Sequence, residues 1–395
     1  MTQIIWNQKL RQKRTDYGIS QVKLAVAVGI SREHLNKLES GKSTTSEVMQ
    51  TRIMEVLERF NPDAPLEMLF DYVRIRFPTT DIKHVAEDIM RVKLDYMAHE
   101  DYGFYSYSEH YYLGDIFILT SPDEKKGVLL ELKGRGCRQF EGYLIAQGRS
   151  WYSFLADCLY EEAVIKRIDL AINDKFGILN IPALAEKCER EECISIFRSF
   201  RFYRSGDLIQ SHEEDKMSMG HTLYIGSLKS EIYFCLYQKD YEQFKKLGIP
   251  IEEAPVKNRF EIRLKNERAY HAVCDLLAHE APEQTAFQII NRYLCFVDRD
   301  ERKPRSEWKM SADWAWFIGD HRDCMKLTTA PEPYTLERTI HWLQHQVAPT
   351  LKMMQRLDEL EGIWTLPDMI ERAKLTDRQR KIIQQQSVSI SEVIT

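Results

Sequence analysis

Four stretches of the chain alternate apolar and polar residues with a period of two. In GVLLELKGR (127–135), Leu130 and Leu132 oppose Glu131, Lys133 and Arg135. In KRIDLAIND (166–174), Ile168, Leu170 and Ile172 oppose Arg167, Asp169, Ala171 and Asn173. In SEIYFCLYQK (230–239), Ile232, Phe234 and Leu236 oppose Glu231, Tyr233, Cys235 and Tyr237. In KNRFEIRLKN (257–266), Phe260, Ile262 and Leu264 oppose Arg259, Glu261, Arg263 and Lys265. Side chains on a strand change sides at every residue, so each stretch predicts a strand with one apolar and one polar face. Such strands belong to a largely antiparallel sheet covered by helices on one side only. TTDIKHVAEDIMRVKLDYM (79–97) and NERAYHAVCDLLAH (266–279) have the amphipathic spacing of covering helices.

Both ends of the chain carry helical periodicity instead. Within residues 7–60, SQVKLAVAVGISREHLNKLESGK predicts two short helices, Gln21–Val28 and Arg32 to about Ser40, capped by Ser20 and Ser31. Leu24, Val28, Ile30, Leu35 and Leu38 supply their inner face, and Ala25 and Gly29 are small where helices cross closely. This is a helix-turn-helix arrangement, in which the second helix enters the major groove of duplex DNA. Its groove-facing residues are Arg32, Glu33, Asn36 and Lys37; arginine forks onto guanine and asparagine onto adenine. Two prolines in NPDAPLEMLFD place a boundary near residue 65. Residues 305–395 also predict helices. TLERTIHWLQHQVAPTLKMMQRLDELEG forms one long pattern with a kink expected at Pro349, a second helix is expected over Pro367–Gln386, and SVSISEVIT reads as a frayed end. The expected fold is α+β: a helix-turn-helix domain over 1–66, a sheet domain over 67–304 and a helical region over 305–395.

Composition narrows the field. The chain has 395 residues and a formal net charge of −5, which excludes a uniformly basic coat for nucleic acid. The distribution differs from the total. Residues 9–42 carry eight lysines and arginines against three acids, residues 125–138 five against one, and residues 257–268 five against two. No apolar run reaches the ~18–20 residues of a membrane span. The eight cysteines form no CxxC pair, so a structural zinc site is not expected and a reducing cytoplasm is.

The polar face of the expected sheet gathers Glu131, Asp169, Glu231 and Glu261 among lysines, arginines and tyrosines. A solvated face also carries mixed charges, so alternation alone leaves its role open. Carboxylates on neighbouring strands repel unless a cation lies between them, and oxygen ligands suit a hard divalent ion. Flanking Lys133, Arg135, Arg259 and Arg263 can hold phosphates. A tyrosine hydroxyl on the same face is a possible nucleophile, and by alternation Tyr233 and Tyr237 are equal candidates. Lys239, two residues on, would share that face if the strand continued. It could then stabilise phosphate charge or protonate a leaving oxygen.

The run TLYIGSLKSEIYFCLYQKDYEQ resembles the active-site region of the Rep_trans rolling-circle initiators, in Tyr224, Gly226, Ser230, Glu231, Ile232–Leu236, Tyr237 and Lys239. The family's Arg-x-Asp-Leu-Ala strand is matched by Arg167, Asp169, Leu170 and Ala171, and its Arg-x-Glu-x-x-Leu-Lys strand by Arg259, Glu261, Leu264 and Lys265. Leu130 and Glu131 match an earlier glutamate strand less closely. DYVRIRFPTTD (71–81) is similar to the opening of the conjugative branch. With the helix-turn-helix in front, the chain resembles the MOBT relaxases of integrative and conjugative elements.

The resemblance implies a DNA nickase whose nucleophile is Tyr237, with Tyr241 as the runner-up. Catalysis would use Mg²⁺ or Mn²⁺ on Glu131, Asp169 and Glu261, and a 5′-phosphotyrosyl link would form at an origin of transfer. Implied partners are double- and single-stranded DNA and a coupling protein, helicase or processing factor. Leu228 and Cys235 depart from some plasmid initiators, which carry basic residues there. No His-hydrophobe-His pair occurs, His341 and His345 read as a helical histidine pair, and no GxxxxGK[ST] phosphate loop is present, since Asn36 stands where Gly41-Lys42-Ser43 would need its leading glycine. A plasmid replication initiator and a non-catalytic DNA-binding regulator are the alternative readings.

Overall fold

The computed structural model describes residues 2–17, 19–58, 66–206, 218–319, 331–332 and 336–395. The junction expected at 61–65 and the side chains of His341 and His345 lie outside the described set. The first module has four helices, α1 (Thr2–Asp16), α2 (Gln21–Val28), α3 (Arg32–Glu39) and α4 (Glu47–Glu58). They close on a core of their own that includes Leu10, Leu24, Val28, Leu35, Leu38, Ile53 and Leu57. Ser31 caps α3, its Oγ accepting from the His34 N–H at 3.1 Å. Arg14 pairs with buried Glu39 and so ties α1 to α3. Between α2 and α3, Gly29 has a φ of +80°, and a Cβ there would lie 2.8 Å from the Ile145 side chain. Glycine therefore permits both the turn and its close approach to the rest of the molecule.

The remaining chain builds one ten-stranded antiparallel sheet. Its strands are β1 (Leu66–Phe77), β2 (Ala98–Glu100), β3 (Glu109–Leu113), β4 (Ile116–Thr120), β5 (Val128–Lys133) and β6 (Val164–Asp174), then, after β7 (Cys193–Ser195), β8 (Phe200–Gly206), β9 (Ser218–Ile225), β10 (Ile232–Gln238) and β11 (Asn258–Lys265). The order across the sheet is β2-β3-β4-β5-β1-β6-β11-β10-β9-β8. β7 pairs instead with β12 (Leu294–Asp298), which also pairs with β13 (Lys309–Met310).

Helices cover one face. They include α5 (Arg135–Ala146), α6 (Trp151–Tyr160), α7 (Ile181–Glu189) and α9 (Asn266–His279), which follows α8 (Lys239–Leu247). α10 (Pro282–Tyr293) and α11 (Ala312–Ile318) complete the core with Phe287, Trp314 and Phe317. The apolar sets expected from alternation all enter this core: Leu130, Leu132, Ile168, Leu170, Ile172, Ile232, Phe234, Leu236, Phe260, Ile262 and Leu264. The opposite face, with the polar sets, is the one that gathers the candidate chemistry.

Four expectations change. Residues 79–97 form only a single π turn, His84–Ile89, and a short 3-10 turn, Leu94–Tyr96, because Arg91 adopts a φ of +56° between them. Strand β5 ends at Lys133, so Arg135 starts α5 rather than lying on the strand face. The long C-terminal pattern, by contrast, stays helical without a break, as α12 (Glu337–Trp342), a π turn over Leu343–Val347 and α13 (Ala348–Glu361), and the π turn immediately precedes Pro349 in the first turn of α13. Residues 367–386 divide into α14 (Thr365–Arg372) and α15 (Asp377–Ser387), because Thr376 caps α15 in a reciprocal bond set with Gln379.

The tail is not frayed. It forms α16 (Ile390–Val393), buries Val393 to 3% exposure and pairs Ile394 with Val92. The Lys93 N–H donates to the Val393 carbonyl at 2.9 Å.

Candidate active site

Strand register brings the polar residues into one field. Tyr237 stands opposite Arg259, Cys235 opposite Glu261, and Tyr233 opposite Arg263. On the other side of β11, Arg259 faces Asn173 and Arg263 faces Asp169. Beyond β6, Asp169 faces Tyr72 and Arg167 faces Arg74 on β1, and Arg74 in turn faces Glu131 on β5.

Strand β1 has a register shift between Phe70 and Tyr72, which makes Asp71 an extra residue. A bulge of this kind re-aims a side chain. Here Asp71 joins the polar face together with Tyr72, and its Oδ1 accepts from Arg259 Nη1 at 2.6 Å. Sequence reasoning missed Asp71. It lay inside the quoted run DYVRIRFPTTD, but the bulge breaks the alternation that singled out the other carboxylates.

Tyr237 is half-buried at the end of β10. Burial pushes its hydroxyl pKa well above the usual tyrosine value; Arg259 opposes this, and Glu261, Asp71 and Glu242 add to it. Lys239 is not on a continued strand. It opens α8, and that turn of helix brings its Nζ to 3.5 Å from Tyr237 Oη and 2.7 Å from Glu242. Burial, followed by the Arg259 charge, lowers the Lys239 pKa. A lysine in this state exchanges a proton more readily than one in water. Glu242, a second residue that sequence reasoning missed, is held at about 2: burial opposes the shift, and Lys239 and Lys246 outweigh it.

Among the rival tyrosines, Tyr233 is 5% exposed beneath Arg263 and Lys265. Tyr224 is raised to about 12 by burial and its neighbour Cys235. Tyr241 lies on α8 with its Cβ against Gly220.

The carboxylates divide into two groups. Asp71, Asp169 and Glu261 influence one another: burial raises Glu261, with Asp71 next in size, and Asp169 adds to it. Burial likewise raises Asp169, whose pairing with Arg167 at 2.6 Å and proximity to Arg263 only partly offset it. For Asp71, Arg259, Lys239 and Arg138 outweigh burial, and its pKa is lowered. Glu261 pairs with Arg263 at 2.7 Å. Glu131 stands apart, two strands from Asp169. It accepts from Arg74 at 2.6 Å, from Lys133 at 2.7 Å, from Tyr105 at 2.9 Å and from Tyr72. These donors outweigh burial and hold its pKa down.

The remaining candidates separate as well. Arg259 is 7% exposed and spans Asp71 and Asn173, so it underlies the field rather than projecting from it. Arg263 is partly exposed, Lys133 is exposed, and Arg135 lies near Asp115. Glu231 is outside the field, at the start of β10, where its side chain accepts from Asn266. Arg32, Asn36 and Lys37 are all exposed along α3.

A further group was not anticipated. His99, Asp101 and Glu109 bring ligand atoms within 4.8 Å of one another on the β2–β3 edge, and this is the one such trio among the described residues. The central carboxylates Asp71, Asp169 and Glu261 are each engaged by an arginine. Their all-oxygen donor set and mutual repulsion nevertheless fit a hard divalent cation.

Known proteins match this architecture in three places. The helix-turn-helix family covers residues 10–58, the rolling circle replication initiation protein N-terminal domain covers 67–157, and the replication initiation factor family, Rep_trans, covers 163–370. A protein of Bacillus subtilis (strain 168) named "Putative DNA relaxase NicK" is 40% identical over 333 residues, covering 84% of this chain and 93% of that one. The solved rolling circle replication initiator protein from Geobacillus stearothermophilus shares the fold with a TM-score of 0.56 at 23% identity, over 68% of this chain and 99% of that one. By sequence and by fold, the chain belongs to the Rep_trans replication initiation factor family and carries a helix-turn-helix module ahead of its catalytic sheet.

Proposed function

We propose that this protein is a site- and strand-specific DNA nickase and rejoining enzyme that initiates rolling-circle replication. One observation carries the reading: the Tyr237 hydroxyl lies beside Lys239 and Arg259 on a sheet face that also holds Asp71, Asp169 and Glu261. Tyr237 Oη attacks the scissile phosphorus and loses its proton, the bond from phosphorus to the 3′-oxygen breaks, and that oxygen leaves as a 3′-hydroxyl. A 5′-phosphotyrosyl ester remains. It conserves the energy of the cut bond, so a 3′-hydroxyl can later reverse the step without ATP. Lys239 holds or moves the tyrosine proton, and Arg259 lowers the cost of the phenolate.

Asp71, Asp169 and Glu261 would hold Mg²⁺ or Mn²⁺, with Asp71 taking the place first given to Glu131. Such an ion would polarise a phosphate oxygen and offset the developing charge. Arg263 and exposed Lys133 would grip the phosphates, and Arg32, Asn36 and Lys37 on α3 would read duplex beside the nick. The separate core of the first module supports this division of labour.

The substrate would be an origin of transfer in cytoplasmic DNA, with a coupling protein or helicase acting on the released strand. The arrangement of the helix-turn-helix before the nicking domain favours this over a plasmid origin. Incubation with supercoiled origin DNA and a divalent ion should yield nicked circles carrying covalent protein. Failure to nick the correct origin with any cation would favour the non-catalytic regulator.

A further inference from the structure

The catalytic face continues past Glu131 into a feature that the chemistry does not use. Residues 101–108 form a loop whose Tyr102, Phe104 and Tyr105 are 55%, 39% and 50% exposed. Exposed rings are costly in water, and three within four residues call for an explanation. The loop is also fixed in shape. Tyr105 and Ser106 both have a positive φ, of 55° and 63°, which non-glycine residues rarely adopt.

Several bonds hold that shape. Tyr105 Oη donates to Glu131 at 2.9 Å, and Tyr107 Oη donates to the Lys126 carbonyl at 3.0 Å. Lys126 Nζ donates to the Ser106 carbonyl, and His110 Nδ1 meets the Tyr102 carbonyl at 2.5 Å. The Phe104 ring rests on His110 at 5.0 Å and on Phe117 at 6.3 Å, and Phe117 stands opposite Glu131 on the polar face. The rings are thus presented in advance of any partner, on the same side of the sheet as Tyr237.

We infer that Tyr102, Phe104 and Tyr105 form a stacking platform for the unpaired bases of the cleaved strand. Three features select this occupant. Flat exposed rings stack on any base, which suits a strand held by its backbone. Cations border the rings: the Arg74 guanidinium lies 4.0 Å and Lys133 Nζ 5.9 Å from the Tyr105 ring centre. The patch is also continuous with the phosphate-gripping field. From β5 to β10 is four strand steps, roughly 19 Å at ~4.8 Å each, a span of a few nucleotides. Bases held here would keep the strand single and in line while its phosphate lies at Tyr237. The inference rests on the nicking reading for which strand is held, but not for the stacking itself.

The test uses the full chain and a fluorescent single strand of about 16 mixed nucleotides, beside a strand of the same length with abasic sugars and intact phosphates. The parent should prefer the base-bearing strand. Tyr102→Ala combined with Phe104→Ala should lose about tenfold on that strand and nothing on the abasic strand or on duplex. Tyr102→Trp with Phe104→Trp should restore binding. A parent that does not discriminate between the strands overturns the proposal. So does an alanine variant that binds the base-bearing strand normally, or one that weakens equally on both strands. No cleavage enters the assay, so failure of the nicking reading leaves these outcomes legible, and it is reported separately by Tyr237→Phe.

Discussion

Lys239 Nζ stands 3.5 Å from Tyr237 Oη although one residue ends a strand and the other begins a helix. The chain direction changes at Gln238, and the change carries the lysine back over the hydroxyl. A half-buried phenol with a raised pKa is a poor nucleophile until it loses its proton. On the proposed mechanism, the neighbouring lysine, its own pKa lowered, would take that proton. Tyr237→Phe should abolish both nicking and the covalent protein–DNA species while leaving oligonucleotide binding intact. Lys239→Ala should slow nicking by about 10²-fold with the covalent species still forming. Nicking by Tyr237→Phe at the parental rate would move the nucleophile elsewhere.

Removing one carboxylate should reveal the cation. With Mg²⁺ or Mn²⁺, the parent should gain thermal stability as the ion rises above its dissociation constant, because binding to the folded state alone stabilises it. Asp71→Asn and Glu261→Gln should each reduce that gain and lower nicking, whereas Glu131→Gln should keep it. A melting series with each ion distinguishes the two groups of carboxylates. Equal loss in Glu131→Gln would return Glu131 to the ligand set.

Reading duplex DNA and cutting one strand should separate. Deletion of residues 1–65 should weaken binding to origin duplex and leave nicking of a single-stranded oligonucleotide in place. Arg32→Ala alone should cost about 1–3 kcal/mol of specific duplex binding, measured by titration against matched and scrambled sites. Loss of single-strand nicking in the deletion would contradict a separable module.

His84 makes a pH-dependent link. Its Nδ1 lies 2.9 Å from Asp88 and its Nε2 3.1 Å from Glu161, and these hydrogen bonds raise its pKa. A raised histidine contributes stability that is fully present below the unfolded value of ~6.5 and fades as pH rises through the higher folded value. The melting advantage of the parent over His84→Ala should therefore shrink between about pH 6 and pH 8. The group is close to solvent, so the effect is small; a constant difference across that range would show that the imidazole acts by packing alone.

The docked C-terminal turn should matter for stability. Val393→Ala removes a side chain that is 3% exposed and should cost about 1–3 kcal/mol, seen as a lower denaturation midpoint with single-strand nicking unchanged at moderate temperature. An unchanged midpoint would make the turn incidental.

The sequence carried much of this. Alternation identified the polar faces of β6, β10 and β11, because each residue there has a strictly opposed neighbour. It failed at LEMLFDYVRIRF, where one inserted residue turns Asp71 and Tyr72 toward the same field. It also grouped Glu131 with Asp169, since nothing local in either strand reveals that β1 lies between them. Tyr237 was preferred over Tyr233 through the family resemblance; the turn at Gln238, which sets Lys239 beside Tyr237, leaves no mark in the alternation. The C-terminal segment SVSISEVIT reads as polar and loose because the backbone and side chains that hold it, at Arg91, Val92 and Lys93, lie at the other end of the sheet domain's sequence.

Strand β11 has a consequence for timing. It fills the slot between β6 and β10 and brings Arg259, Glu261 and Arg263 with it, yet it is the last strand of the large sheet to be synthesised. Until it enters, Tyr237 lacks its guanidinium and the carboxylate group is incomplete. Long-range pairing of this kind forms late, since distant segments must first be brought together. On the proposed mechanism, a chain whose β11 has not yet entered the sheet would be unable to cut.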